Sequence, residues 1–422
     1  MKRLVRPIRA AVALALFQLG CGSDPSGPAD PIDALPRPLT VVEQQLVGAS
    51  NRFGFDLFRR VYAAESGPNV FLSPLSASMA LGMTLNGAAG ETWSGMRSAL
   101  AFDQLSAAQI NESYRSLIAL LTDLDPAVRF SIANSVWARQ GFTVLPSFYD
   151  VVREYFAGEA RSLDFDDPRS VDIINGWISD ATNGRIEKGI DQISQADLMF
   201  LINAIYFNGD WREKFDRNRT QRAPFRRADG STVDVDMMTG KIELGFAVDP
   251  RWTAGELPYG GGAFGMIVVV PHDDVPLADV VSGFDAAAWD ALVARLQENE
   301  LDVYLPKFRF EYDTYLNDPL IGMGMGRAFS PDADFSNLTP EEVCIQFVRQ
   351  KTFVEVDEEG TEAAAVTVVG VGVTSLPPSL RVDRPFLFAI RERLTGTILF
   401  MGTIGDPTVG ETPAPQKPAP PC

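Results

Sequence analysis

The chain is poor in the residues that most often do chemistry. Of its 422 residues one is histidine, His272, and three are cysteine: Cys21, Cys344 and Cys422. A Ser–His–Asp or Cys–His system would have to be built on His272 or not at all. That residue sits in "VVVPHDDVP", after an apolar run and a proline, where a solvated loop histidine is the simpler reading. Three cysteines allow one disulfide, not a framework of them. Positive charge is scarce too: 37 Lys and Arg stand against 55 Asp and Glu, a net charge of −18, which makes nucleic acid and anionic membranes poor partners. No G-x-S-x-G elbow, H-E-x-x-H pair or P-loop occurs. "GMGMGR", from Gly322, has alternate glycines but no βαβ surroundings, and reads as a turn after a short helix. Carboxylates are plentiful without an evident pair, so a two-carboxylate hydrolase is a distant reading. No cofactor or metal is expected.

What is present is the composition of a folded domain, 46% hydrophobic and 22% charged. Residues 1–20 stand apart. Lys2, Arg3, Arg6 and Arg9 precede "AAVALALFQLG", a charged and then apolar pattern that reads as an export signal. The run is too short for a spanning helix, which needs roughly 20 apolar residues. Its removal, with four positive charges, takes the net charge from −18 to −22. Cys21 follows Gly20 and resembles the lipidated cysteine of bacterial lipoproteins, although Gln18 stands where an aliphatic residue is usual. An ordinary signal peptide with an incidental cysteine is the alternative. Residues 21–38, rich in Pro and Gly, suit a tether. The protein is therefore expected outside the cytoplasm, extracellular or anchored in the cell envelope. Residues 39–407 read as one domain, and 408–422 as a Pro-rich disordered tail.

Within the domain, helical patterns come first. "VVEQQLVGASNRFGFDLFRRVYAA" places Phe53, Leu57, Phe58 and Val61 on one side. "SPLSASMALGMTLNGAAGETWSGMRSAL" reads as two helices broken at "NGAAGET", the first capped by Ser73 with Pro74 in its first turn. "LPSFYDVVREYF" and "DPRSVDIINGWISDATNG" are further helices, the second stopped by Gly184. Strands follow. "LMFLINAIYFNGDW" is apolar on both alternating sets and reads as a strand buried on both faces. "GMIVVVP", "LDVYLPKFRFEY", "FVRQKTFVEV", "RPFLFAI" and "GTILFMG" are rich in β-branched and aromatic residues. Helices early and strands late suggest an α+β fold with large, mainly antiparallel sheets.

One segment resists this pattern. "EEGTEAAAVTVVGVGVTSLPP" runs from Glu358 to Pro378 with no charge after Glu362. Read as an extended chain, Thr361, Ala363, Ala365, Thr367, Val369, Val371 and Val373 share one face, all small or β-branched. Glu362, Ala364, Val366, Val368, Gly370, Gly372 and Thr374 share the other. The segment is competent as a central strand, but Gly360 offers a hinge and Pro377-Pro378 would stop a ladder. It is either a plain strand of the resting fold or a loop that becomes a strand on demand.

"EEGTEAAAVT" (358–367) resembles the hinge of the serpins, trapping inhibitors of serine proteases. "NVFLSPLSASMALGM", "FLINAIYFNGDW", "LPKFRFEYDTYL" and "DRPFLFAIRERLTGTILFMG" resemble family segments in the same order, across nearly all of residues 39–407. The resemblance implies the serpin fold, helices packed around large sheets with an exposed reactive loop. It also implies a mechanism. The target protease cleaves the loop; the freed loop enters the main sheet as an added strand and drags the acylated protease with it. Glu358, Glu359, Gly360, Thr361, Glu362, Ala363, Ala364 and Ala365 would be the hinge. Thr361 must be small and uncharged to enter first, since burying a charge there would cost several kcal/mol. Threonine and the alanines after it point to an inhibitor, with a serpin-like protein cleaved without trapping as the alternative.

Register against the family places the reactive bond at Thr374–Ser375. A short, uncharged threonine before the bond suits elastase-like or subtilisin-like pockets; a slip to Leu376 would favour a chymotrypsin-like one. Ser73, Ser76 and Asn203 match the cluster where the sheet opens, with Gln350 in place of the usual histidine. Gln can donate and accept there but does not titrate. Trp211, Lys307 and Glu358 match the site where insertion begins, with a Lys307–Glu358 ion pair expected. For Ser73 a helix-cap role competes, and for Trp211 ordinary core packing. "LSAAQINESYRSLIALLTDLDP" holds a single Arg, so no glycosaminoglycan activation is expected. The implied partner is a target serine protease, covalently held, and the chain is expected to be a monomer.

Overall fold

The computed structural model describes residues 31–360, 379–413 and 415–419. The helices begin where the sequence supplies caps. In α1 (Val41–Ala64) Thr40 and Glu43 form a capping box: the Glu43 N–H donates to the Thr40 hydroxyl at 3.2 Å, and the Thr40 N–H to the Glu43 carboxylate at 2.7 Å. Phe53, Leu57, Phe58 and Val61 are buried on its inner side. Ser73 caps α2 (Pro74–Leu85), and α3 (Gly90–Ala99) follows after the expected break. Ser106 and Gln109 box the start of α4 (Ala107–Thr122). Then come α5 (Pro146–Phe156) and α6 (Arg169–Ala181). Past α6, Gly184 has φ +77° and donates its N–H back to Ser179 O. The short helices α7 (Leu277–Gly283), α8 (Ala286–Val293) and α9 (Asn317–Leu320) complete the α-helices among the described residues.

The strands form three sheets. They are β1 (Asn69–Leu72), β2 (Val128–Arg139), β3 (Glu159–Leu163), β4 (Met199–Gly209), β5 (Gln221–Arg226), β6 (Thr232–Val248), β7 (Trp252–Tyr259), β8 (Phe264–Pro271), β9 (Gln297–Pro306), β10 (Phe308–Tyr315), β11 (Arg349–Val356), β12 (Ser379–Arg381), β13 (Phe386–Glu392) and β14 (Ile398–Ile404). A large sheet runs β1-β14-β13-β8-β7-β6-β9-β12, with β5 on β6. All its pairings are antiparallel except β9–β12. Every residue of β8, β13 and β14 is buried, and Phe71 stacks between Phe388 and Phe400 at 5.5 and 5.3 Å. Helices and large, mainly antiparallel sheets are what the sequence led us to expect.

The other two sheets are small: β3-β2-β4 and β10-β11. α6 packs on the first through Trp137, Ile174, Ile178 and Phe200. Among the described residues no ladder joins β4 to β11. The two strands instead line a common cavity of about 800 Å³, with α2 also in its wall. This corrects the reading of β4 as buried on both faces. Met199, Leu201, Ile202, Asn203 and Ile205 are only half-buried, because they border that cavity.

Candidate functional site

The gap between β4 and β11 is a slot one side of which is three strands and the other two. Each flanking strand spends one edge on its own sheet: β4 on β2 over Met199–Gly209, β11 on β10 over its whole length. The large cavity lies along the first halves of the two strands, and a smaller one, lined by Ile205, Phe207, Phe353 and Glu355, continues it.

The slot's upper end is pinned by the residues that follow β11. Trp211 is 2% exposed and stacks on Tyr259 with centroids 4.5 Å apart and planes 11° apart. Its ring N–H donates to Asp357 O at 2.9 Å, and its backbone N–H to Glu359 O at 2.7 Å. Phe215 N–H donates to Glu358 O at 2.8 Å. Trp211 thus combines core packing with two bonds to the backbone that follows β11. Lys307 Nζ donates to Glu358 Oε2 at 2.7 Å, and Thr220 Oγ1 to Glu358 Oε1 at 2.6 Å. Burial pushes the Glu358 carboxyl up, but the bonds from Lys307 and Thr220 outweigh it and hold the group below the usual carboxylate range. Glu359, fully buried, forms ion pairs with Arg217 and, at 3.8 Å, with Lys214.

Gly360 closes this corner. Its φ is +140°, and a Cβ there would lie 2.3 Å from Gly209 O and 2.5 Å from Asp210 Cα. Only glycine fits so close to the end of β4. The family pattern pointed to Trp211, Lys307 and Glu358; Thr220, Lys214 and Arg217 were missed. They lie in a stretch that also carries exposed arginines, so nothing in the sequence separates them from ordinary surface charge.

Midway down, the polar cluster divides across the slot. On the β11 side, Gln350 and Ser73 make a two-way pair: Ser73 N–H donates to Gln350 Oε1 at 3.0 Å, and Gln350 Nε2 donates to Ser73 O at 2.9 Å. Ser73 Oγ donates to Leu399 O at 2.7 Å and accepts from Ser76 N–H at 3.2 Å, so Ser73 is both helix cap and cluster member. On the β4 side, Asn203 Nδ2 donates to Asn134 Oδ1 at 2.7 Å, and Asn134 Nδ2 to Phe156 O at 2.7 Å. Asn203 Oδ1 is buried with no hydrogen-bond partner among the described residues. Asn134 was missed; as a polar residue in a strand it carried a weak signal.

Beyond the described segment that ends at Gly360, β12 pairs its Ser379–Arg381 parallel with Asp302–Tyr304. Thr361, Glu362, Ala363, Ala364, Ala365, Thr374, Ser375 and Leu376 lie outside the described residues, as does Cys21. His272 lies in the expected turn but is not simply solvated. Its Nδ1 donates to Pro250 O at 3.1 Å, leaving Nε2 to accept from Thr253 Oγ1 at 3.1 Å.

The serpin (serine protease inhibitor) family model matches residues 48–407. The chain belongs to the serpin family. An uncharacterized serpin-like protein of Thermococcus kodakarensis is 33% identical over 376 residues, 87% of each chain. Leukocyte elastase inhibitor of Sus scrofa is 32% identical over 385 residues, 86% of this chain and all of that one. Among solved structures, the thermophilic serpin tengpin in the native state matches with TM-score 0.79 and 28% identity, covering 90% of this chain and 97% of its own. Human thyroxine-binding globulin, in complex with thyroxine, matches with TM-score 0.80 and 27% identity, covering 87% of this chain and 100% of its own. Serpins are for the most part protease inhibitors rather than enzymes, and the chain has the fold that work uses.

Proposed function

We propose that this serpin is a suicide-substrate inhibitor of serine endopeptidases that traps its target by inserting the cleaved loop between β4 and β11. The observation that carries the reading is the divided sheet. Two strands face one slot, with a buried acceptor on Asn203 that has no partner among the described residues, and the loop's root is fixed at its upper end. An added strand would gain ladder bonds on both edges, each worth about 0.5–1.5 kcal/mol net. It would also bring small alternate side chains into a half-covered space. The resting form is then held kinetically above a more stable inserted form.

Thr374–Ser375 is the reactive bond in this reading, and the hinge from Glu358 to Ala365 enters first. Threonine before the bond favours an elastase-like or subtilisin-like target; the similarity to a leukocyte elastase inhibitor is consistent with that. The chymotrypsin-like alternative uses Leu376. Thyroxine-binding globulin shares the fold and was solved with thyroxine bound, so the fold alone does not decide what a serpin binds. Export, with or without acylation of Cys21, puts the inhibitor where foreign proteases are met. No polyanion activation is proposed: α4 carries only Arg115, already paired with Glu112 at 2.7 Å.

Mixing the protein with pancreatic elastase and running a denaturing gel tests the reading. A band at the summed mass, resistant to denaturant, is expected. A cleaved serpin band alone would leave a substrate rather than an inhibitor. Thr361→Arg should convert trapping into turnover, because a charge would have to be buried at the first insertion step.

A further inference from the structure

The tail after β14 has no role in the trapping reading, yet it is built into the lower end of the slot. Composition suggests disorder from residue 408. Instead, Glu311 N–H donates to Gly410 O at 2.9 Å and Thr412 N–H to Glu311 O at 3.1 Å, so the tail adds to the outer edge of β10. Asp313 N–H donates to Thr412 Oγ1 at 3.1 Å. The chain then rounds the end of the β10–β11 pair. Lys417 Nζ sits 4.6 Å from the Phe347 ring centroid, in the segment leading into β11. It also lies 3.3 and 3.4 Å from the two carboxylate oxygens of Asp197, two residues before β4. The Asp197 side chain is 2% exposed and accepts from Ser194 N–H at 2.7 Å. One short run of tail therefore grips the approach to both strands that flank the slot.

Cys344 lies on the same cavity wall as Pro415 and Lys417, and it is disulfide-bonded to a cysteine outside the described residues. The sequence offers Cys21 and Cys422. Cys422 is five residues beyond Lys417, a reach of roughly 17 Å. The N-terminal side runs elsewhere: Ile32 N–H donates to Gly261 O at 2.7 Å, beside Tyr259 and the Trp211 stack at the slot's other end.

We propose that Cys344 and Cys422 form a disulfide that fastens the tail as a strap across the lower end of the slot and restrains β4 and β11 from parting. The bond forms by thiol–disulfide exchange with a disulfide-bearing oxidant. The two thiols give up two electrons and two protons, and the oxidant leaves as a dithiol. The strap lies where an inserted strand would arrive. Residues 361–374, fully extended, span roughly 46 Å, against roughly 36 Å for β4. The pairing leaves Cys21 outside the disulfide. The strap's restraining role rests on the proposed insertion site, but its test needs no protease.

Non-reducing peptide mapping of the full chain is expected to yield a Cys344–Cys422 linked pair. A Cys21–Cys344 pair, or Cys344 as a thiol, would overturn the assignment. Hydrogen exchange of 199–205 and 349–352 in the intact protein then tests the restraint. Cys422→Ser and Lys417→Ala should each exchange severalfold faster there than the parent, and the reduced parent should match Cys422→Ser. Unchanged exchange in both variants would overturn the strap even if the disulfide maps as expected. Failure to trap a protease, with these results in hand, would count against the inhibitory reading alone.

Discussion

The large sheet and the divided sheet are made of similar residues and behave as opposites. In the large sheet β8, β13 and β14 are buried at every position, each with both edges in ladders. In the divided sheet β4 and β11 each ladder on one side only among the described residues, and half of β4 is merely half-covered. The difference is one of partners, not of hydrophobicity. A fully paired, fully packed sheet has nowhere to move, because close-packed interiors resist deformation. A sheet divided at one seam can take one more strand without disturbing the rest.

The largest expected effect breaks the closed side. Phe388→Ala removes a fully buried ring stacked 5.5 Å from Phe71 and should cost about 3–5 kcal/mol in chemical denaturation. Leu201→Ala, at a half-buried slot position, should cost distinctly less. Equal costs would dissolve the contrast between the sheets. Next comes Gly360→Ala. Its Cβ would meet Gly209 O and Asp210 Cα, and a non-glycine residue at φ +140° adds about 1–3 kcal/mol of strain. The intact protein should melt lower, and unchanged melting would mean the corner is looser than described.

Lys307→Ala leaves the Glu358 carboxylate, 4% exposed, without its cation. Lys307 itself is 36% exposed, so solvent screening limits the loss to about 1–2 kcal/mol. Acid should mimic it. The Glu358 carboxyl is held below its usual range in the folded state, so its contribution is complete above that range and is lost as pH falls through the folded value. Stability measured from neutral pH downward should therefore fall in the acid carboxylate region and less steeply in Lys307→Ala. The smallest effect is at Gln350. Glutamine does not titrate, whereas Gln350→His should introduce a dependence of melting on pH between about 5 and 7. A flat profile in that variant would mean the Ser73 pairing is not felt by the sheet.

Much of this was legible in the sequence, for reasons that differ by region. The caps at Thr40, Ser73 and Ser106 are local chemistry, and local chemistry is readable. The strands were legible from composition, and Trp211, Lys307 and Glu358 from the family pattern. The division of the sheet was not, because β4 reads as a strand covered on both faces whether or not a neighbour lies beside it. Asn203 and Gln350 were grouped by resemblance, but the groups bond to different sides of the slot. The clamp on Glu359 by Arg217 and Lys214 joins residues about 140 positions apart, and single-sequence reading has no handle on such pairs. The tail was misjudged because proline-rich composition reports local stiffness and says nothing about the β10 edge that receives it.

Trapping requires the slot to be a seat for the loop. Hydrogen exchange of 199–208 and 349–356, before and after a protease nicks the loop, tests this most directly. Added ladder bonds on both strands should slow exchange there by a large factor, while β8, β13 and β14 stay unchanged. Exchange along β4 and β11 as fast after the cut as before would contradict it.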